Sequence, residues 1–137
     1  MTPDLQLSRE SIERALEAGD WGRAQADLRE LWHGHPTAAT AGFVISAWSR
    51  LRPHVALVPC RLYVLRSFTV EPVVPLLRAA AFSGGIDLTV KVGGFNAWVQ
   101  EILDTGGPLG AFAPDVAILA VQTRDAAPEL WERFPDL

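Results

Sequence analysis

The chain has 137 residues, with 12 Lys and Arg against 16 Asp and Glu, a net charge of −4 and 49% hydrophobic residues. This composition excludes a mainly disordered chain, and the lack of any basic stripe excludes the usual footprint of a nucleic-acid binder. No apolar stretch reaches the ~18 residues of a membrane span, and the start of the chain lacks a secretory signal. The single Cys60 excludes an intramolecular disulfide. We therefore predict a cytoplasmic protein that binds neither nucleic acid nor membrane.

Residues 8–52 have the apolar spacing of three helices, and we call residues 1–52 the helical leader. Ser8 is a plausible N-cap for the first helix, and Asp20 for the second. The third is predicted from about Pro36, a residue suited to a first helical turn, to Leu51. The predicted apolar faces comprise Ile12, Ala15 and Leu16, then Trp21, Ala24, Leu28, Leu31 and Trp32, then Ala39, Phe43, Ala47, Trp48 and Leu51. The stretch GDWGRAQADLRELW also resembles a tetratricopeptide-type hairpin, so a helical protein-interaction module is one alternative for the function.

A Pro-rich joint at 53–60 separates these helices from a region of different periodicity. Short β-branched runs predict strands at 62–68, 87–92 and 115–121, and helices are predicted at 70–85, at 95–107 and from 127 onward. This alternation indicates an α/β fold, in which the N-terminal helices precede a three-stranded parallel βαβαβ half-sheet. The third strand is apolar almost throughout, as expected for a strand buried on both faces.

A sheet of three strands has two open edges and buries little apolar surface. We therefore expect residues 61–137 to be an α/β module that is truncated before a further domain, or one that needs a partner chain. A homo-oligomer would be one form of such a partnership.

The candidate site lies where the strands end, because open parallel sheets bind ligands beyond the carboxyl ends of their strands. Polar or small residues lie at the end of each predicted strand or shortly after it: Arg66, Ser67 and Thr69, then Gly93, Gly94 and Asn96, then Arg124 and Asp125. One alternative is that Ser67, Thr69 and Asn96 only cap the helices that follow.

Arg66 and Arg124 suggest an anion at this rim. Guanidinium groups suit a phosphate or a carboxylate better than a neutral ester. The alternative for each arginine is a local ion pair, with Glu71 or with Asp125. No cluster of metal-ligand residues stands out, and we predict no metal site.

The order of these residues resembles that of SGNH (GDSL-type) hydrolases, which are Rossmann-like α/β proteins. Ser67, in Leu65-Arg66-Ser67-Phe68, stands where that family has its nucleophile, and Gly93 or Gly94 where it has an oxyanion donor. PDVAILAVQTRD matches the third block, but Arg124 replaces its Asn. The closing Asp-x-x-His block is missing, and the three histidines, His33, His35 and His54, all precede the sheet. An esterase or acyltransferase that uses Ser67 is therefore an alternative that needs a base from another subunit.

A closer resemblance covers residues 61–137. Ser-Phe-Thr-x-Glu-Pro at 67–72, the segment from Phe95 to Leu103 with its Gln-Glu-Ile-Leu, and Gln-Thr-Arg-Asp at 122–125 resemble the N-terminal region of FkbH-like proteins of the haloacid dehalogenase (HAD) superfamily. The resemblance implies an enzyme that is similar to a glyceryl-acyl carrier protein synthase. Such an enzyme loads a glyceryl unit from a phosphorylated three-carbon donor onto an acyl carrier protein in polyketide-type biosynthesis.

The catalytic motif of the HAD domain, Asp-x-Asp-x-Thr, does not occur in this sequence. The resemblance therefore implies a non-catalytic accessory module whose partners are a HAD catalytic domain, in cis in a full-length protein, and an acyl carrier protein. No cofactor is expected in this chain, and Mg²⁺ is expected only for the HAD domain.

Overall fold

The computed structural model describes the backbone of residues 3–132 and the side chains of residues 5–130. The helices are α1 (Pro3–Glu17), α2 (Trp21–Gly34), α3 (Ala38–Leu51), α4 (Val74–Ser83), α5 (Trp98–Leu103), α6 (Pro108–Phe112), α7 (Thr123–Ala126) and α8 (Pro128–Glu132). The strands are β1 (Val58–Arg66), β2 (Ile86–Phe95) and β3 (Val116–Ala120). Short 3-10 helices lie at Arg52–His54 and Glu71–Val73. Within the described residues, no helix has both the length and the hydropathy needed to cross a membrane.

The predicted α/β fold is confirmed: N-terminal helices precede a three-stranded parallel sheet. The strand order is β2-β1-β3, so β1 is central and the other two strands are edges. The register of β1 and β3 runs from Leu62 opposite Val116 to Arg66 opposite Ala120. The chain therefore changes direction across the sheet between β1 and β3, which is the topological switch point of such folds.

The helix starts differ from two of the three predictions. Asp20 caps α2 as predicted, because its carboxylate accepts a hydrogen bond from the Arg23 N–H at 3.2 Å. The prediction for Ser8 is wrong, since α1 begins at Pro3 and continues through Ser8. The prediction for Pro36 is also wrong, because the Thr37 hydroxyl caps α3 and places Pro36 before the helix.

The strand and helix bounds also shift in the second half of the chain. β1 begins inside the predicted joint, where the Val58 N–H donates to the Gly85 carbonyl at 3.0 Å. Pro59 is tolerated there because it lies at the start of the strand. The predicted helix at 70–85 is a 3-10 turn followed by α4, and the one at 95–107 is reduced to α5, with α6 beginning only after that range. The last part of the range predicted as a helix from residue 127 onward lies outside the described residues.

The chain forms two compact units that alternate along the sequence. Unit 1 comprises residues 1–59 and 73–88, and unit 2 comprises residues 60–72 and 89–137. The predicted division instead separated a helical leader (1–52) from a continuous module (61–137). α4 falls in unit 1 because its buried Ala79 and Phe82 join the helical core, where the Phe82 ring stacks on Trp48 with 5.5 Å between centroids.

The core of unit 1 consists of the buried apolar faces of its helices. Most predicted core positions are buried in it, but Ala39 is exposed and Phe43 is only partly buried. The buried set is Ile12, Ala15, Leu16, Ala24, Leu28, Leu31, Trp32, Ala41, Val44, Ala47, Trp48, Leu51, Ala79 and Phe82. Trp21 packs against this core and stacks on His54 with 3.8 Å between ring centroids.

Unit 2 buries its central strand. Residues 62–65 of β1 are all buried, and the Tyr63 ring lies 5.7 Å from the Phe112 ring of α6. Asp115 fixes the start of β3 by a reciprocal pair of bonds with Arg61. Its carboxylate accepts from the Arg61 N–H at 2.8 Å, and its own N–H donates to the Arg61 carbonyl at 2.9 Å.

The prediction that the third strand is buried on both faces is wrong. Val116, Ile118 and Leu119 are exposed, with 55% of Leu119 accessible. Within the described residues β3 is an edge strand that pairs with β1 alone, and an edge strand has fewer neighbouring side chains over its faces than a central strand. β3 therefore has the apolar sequence of a fully buried strand, although it lies at an open edge of the sheet.

Candidate functional site

The ends of β1 and β3 are joined through Ser67, the predicted nucleophile. Its hydroxyl accepts a hydrogen bond from the Gln122 N–H at 2.9 Å, and its own N–H donates to the Ala120 carbonyl at 3.0 Å. The residue is 7% exposed. Ser67 thus lies at the carboxyl ends of β1 and β3, where the sequence placed it, and ties the two strands together there.

A catalytic serine also needs a base to take its proton. The segments of sequence that make up unit 2 contain no histidine, since His33, His35 and His54 all belong to unit 1. Within unit 2, the Ser67 hydroxyl receives a hydrogen bond from a backbone N–H, which occupies one lone pair of its oxygen.

Arg66 is engaged within unit 2. Its Nε donates to the Gly93 carbonyl at 3.0 Å, and its Nη1 lies 2.9 and 3.0 Å from the two carboxylate oxygens of Glu71. The side chain is only 14% exposed, and its guanidinium carbon lies 5.7 Å from the centre of the Phe95 ring. The charge of Arg66, which was predicted to face an anion, is therefore paired with the carboxylate of Glu71.

Arg124 has a different environment. Its Nε lies 3.8 Å from Asp125 Oδ1, and 63% of its side chain is exposed. Each arginine is therefore paired with the carboxylate named in the alternative prediction, but only the Arg66 side chain is largely buried, while its partner Glu71 is 53% exposed.

Asn96 lies in the turn after β2, with a φ of +55°. Its N–H donates to the Arg66 carbonyl at 3.1 Å, and its side chain is exposed. The capping alternative is wrong for the helices that follow β1 and β2. The N-cap residues of α4 and α5 are Val73 and Ala97, and neither makes a side-chain capping bond.

Gly93 and Gly94 surround a carboxylate that comes from the chain itself. Glu101 of α5 accepts a hydrogen bond from the Gly94 N–H at 2.7 Å and another from the Tyr63 hydroxyl at 2.9 Å. A side chain at Gly93 would displace the carboxylate from this position, because a Cβ atom there would lie 2.5 Å from Glu101 Oε2. The Gly94 N–H predicted as an oxyanion donor is thus already occupied by an anion.

This arrangement perturbs Tyr63, which is 1% exposed. Burial, then the hydrogen bond to Glu101 and then its negative charge raise the pKa of Tyr63 to about 12. The phenol therefore remains a neutral donor to the carboxylate at physiological pH.

Sequence reasoning gave Glu101 no role, although the Gln-Glu-Ile-Leu segment around it was part of the family resemblance. A signal does exist in the sequence. Two successive glycines lie near the end of a strand, and a carboxylate follows seven residues after Gly94. The hydrogen bond from the Tyr63 hydroxyl to Glu101 could not be predicted from the sequence, since Tyr63 lies 38 residues before Glu101.

Within the described residues, no three His, Cys, Asp or Glu side chains are placed to hold a metal ion. Comparison of the chain with protein-family models, curated proteins and solved structures finds no match.

Proposed function

We propose that the chain is an accessory module of an FkbH-like enzyme that loads a glyceryl-type acyl unit onto an acyl carrier protein. A HAD-type domain would perform the phosphate-releasing chemistry with its own Mg²⁺, and this chain would act by binding that domain. The family assignment rests on the resemblance of residues 61–137. The lone Cys60, which has no partner for a disulfide, supports a cytoplasmic location.

The observation that carries the proposal is the open edge at β3. A parallel strand that is apolar on both faces is normally covered by other elements, and exposed edges normally carry charges that prevent association. Within the described residues β3 is only partly covered and carries no charge, because Val116, Ile118 and Leu119 are exposed and the strand contains no ionisable residue. A surface of this kind supports a role in contact with another folded domain.

The bonds among the residues of the rim support an accessory role over a catalytic one. The Ser67 hydroxyl accepts from Gln122, the Gly94 N–H donates to Glu101, and Arg66 pairs with Glu71. Groups that bind one another in this way stabilise the unit, and the Gly94 N–H and the Arg66 guanidinium would have to exchange these partners to bind a substrate.

The test is reconstitution of carrier-protein loading. A HAD-type glyceryl transferase domain and its acyl carrier protein are assayed with a phosphorylated glyceryl donor, with and without this chain, by intact mass of the carrier. We expect the chain to raise the loading rate. We expect Ile118→Lys to abolish that rise, since it places a charge on the β3 edge without disturbing a buried side chain.

Leu7→Lys is the matched control, because Leu7 is also an exposed apolar residue but lies on α1 in unit 1. It should support loading as the unmodified chain does. Loading that is unaffected by the chain, or equally affected by the two lysine variants, would contradict the proposal.

A further inference from the structure

The Glu101 carboxylate occupies a preformed cradle at the end of β2. We define the glycine cradle as Gly93, Gly94 and the Tyr63 hydroxyl. It offers two hydrogen-bond donors, and it has room for a carboxylate only because Gly93 lacks a side chain. Donors aimed at both oxygens of one carboxylate form a charge-assisted site, which is the stronger class of hydrogen bond.

The helix that delivers this carboxylate is weakly held by burial. α5 has six residues and no buried side chain, and Val99, Ile102 and Leu103 on it are exposed, with 76% of Leu103 accessible. Its N-cap residue, Ala97, makes no capping bond. Segments with little buried apolar surface open locally at a lower free energy than the core. The two bonds of Glu101 are therefore a main attachment of α5 to the strands.

We propose that the glycine cradle is a carboxylate-binding site that Glu101 occupies as an intrachain ligand, and that it becomes free for an external carboxylate when α5 opens. In the closed state Glu101 excludes competing anions, because its effective concentration at the cradle is that of a tethered group. An external carboxylate would bind the open state and shift the population toward it. This device does not depend on the proposed accessory role.

Hydrogen exchange in the unmodified chain is the first test. The Gly94 N–H is protected by Glu101, so it should exchange together with the α5 amides and faster than the Tyr63 amide of β1. In Tyr63→Phe, which removes one of the two bonds, the Gly94 exchange rate should rise roughly tenfold. Exchange of Gly94 only through the slowest, global opening would overturn the proposal.

Ligand binding to the emptied cradle is the second test. Glu101→Ala is titrated with sodium formate, and the Gly94 amide is followed by NMR, with sodium chloride as the ionic-strength control. We expect a saturable shift in Glu101→Ala, none in Gln100→Ala on the same helix, and none in the Glu101→Ala, Tyr63→Phe double variant. A shift that chloride reproduces, or no saturable shift in Glu101→Ala, would overturn the proposal.

Discussion

The Ser67 hydroxyl accepts a hydrogen bond from the Gln122 N–H at 2.9 Å and thereby links the ends of β1 and β3. The bond is a structural use of the residue that the family resemblance marked as the nucleophile. Ser67→Ala would leave the Gln122 N–H without this partner, so we expect a loss of about 1 kcal/mol in the free energy of unfolding. Urea denaturation measures it. Ser46→Ala, at an exposed position of α3, should cost nothing, and equal stabilities of the two variants would contradict the structural role of Ser67.

Ser67 should also fail to react as a catalytic serine. No histidine occurs in the sequence of unit 2, and a serine without a base is a weak nucleophile at neutral pH. Treatment of the chain with a fluorophosphonate should therefore add no mass to it. Labelling of the chain that disappears in Ser67→Ala would favour the esterase alternative.

The two arginines of the rim should differ in their contributions to stability. Arg66→Ala removes bonds to Gly93 and Glu71 from a largely buried side chain, so a loss of about 1–3 kcal/mol is expected. Arg124→Ala removes a long, exposed ion pair and should change the free energy of unfolding by less than about 0.5 kcal/mol. Urea denaturation of both variants measures these losses. Equal losses would show that the Arg66 pair contributes no more than the exposed Arg124 pair.

Pairing with Glu71 should also limit anion binding at the rim. Calorimetric titration of the chain with inorganic phosphate or 3-phosphoglycerate is expected to give no heat at millimolar ligand. Glu71→Gln should bind phosphate more tightly, because it removes the charge that neutralises Arg66. Heat in the unmodified chain that vanishes in Arg66→Ala and Arg124→Ala would instead establish the anion site predicted from sequence.

Tyr63 provides a pH-dependent prediction, since it is the only tyrosine in the sequence. Its pKa is raised to about 12 from an ordinary value of about 10. The neutral phenol is therefore favoured by folding, and its stabilising contribution is complete below about pH 10 and is lost as the pH rises toward 12. Ultraviolet absorbance of tyrosinate measures the titration directly.

In Glu101→Gln the pKa of Tyr63 should fall below its value in the unmodified chain, because the negative charge is removed. It should remain above the ordinary value because burial persists. A Tyr63 pKa unchanged by this substitution would contradict the contact with Glu101.

The sequence predicted the type and order of the main elements because each one has its own periodicity. Asp20 as a cap and the apolar face around Leu28 follow from local spacing alone. The start of β1 was missed because Pro59 reads as a breaker, whereas at a strand start its missing N–H costs no sheet bond.

The placement of elements and contacts between distant residues could not be predicted from sequence. The β2-β1-β3 order, which leaves β3 open, is a property of the whole sheet. The burial of Phe82 beside Trp48 assigns α4 to the helices, although its neighbours in sequence are strands. For the candidate site, the rim residues were found by position, but their mutual pairing and the contribution of Glu101 depend on partners far apart in the chain.

The alternation of the two units along the chain also has a consequence for synthesis and for truncation. The chain passes from one unit to the other after Pro59, after Pro72 and after Leu88. The helical core is therefore incomplete on the ribosome until Phe82 has emerged, by which time all of β1 has been made. No single cut releases either unit whole, so a deletion chosen at the Pro-rich joint would strip Trp48 from Phe82. Dissection of this protein into its units therefore requires two-piece complementation rather than truncation.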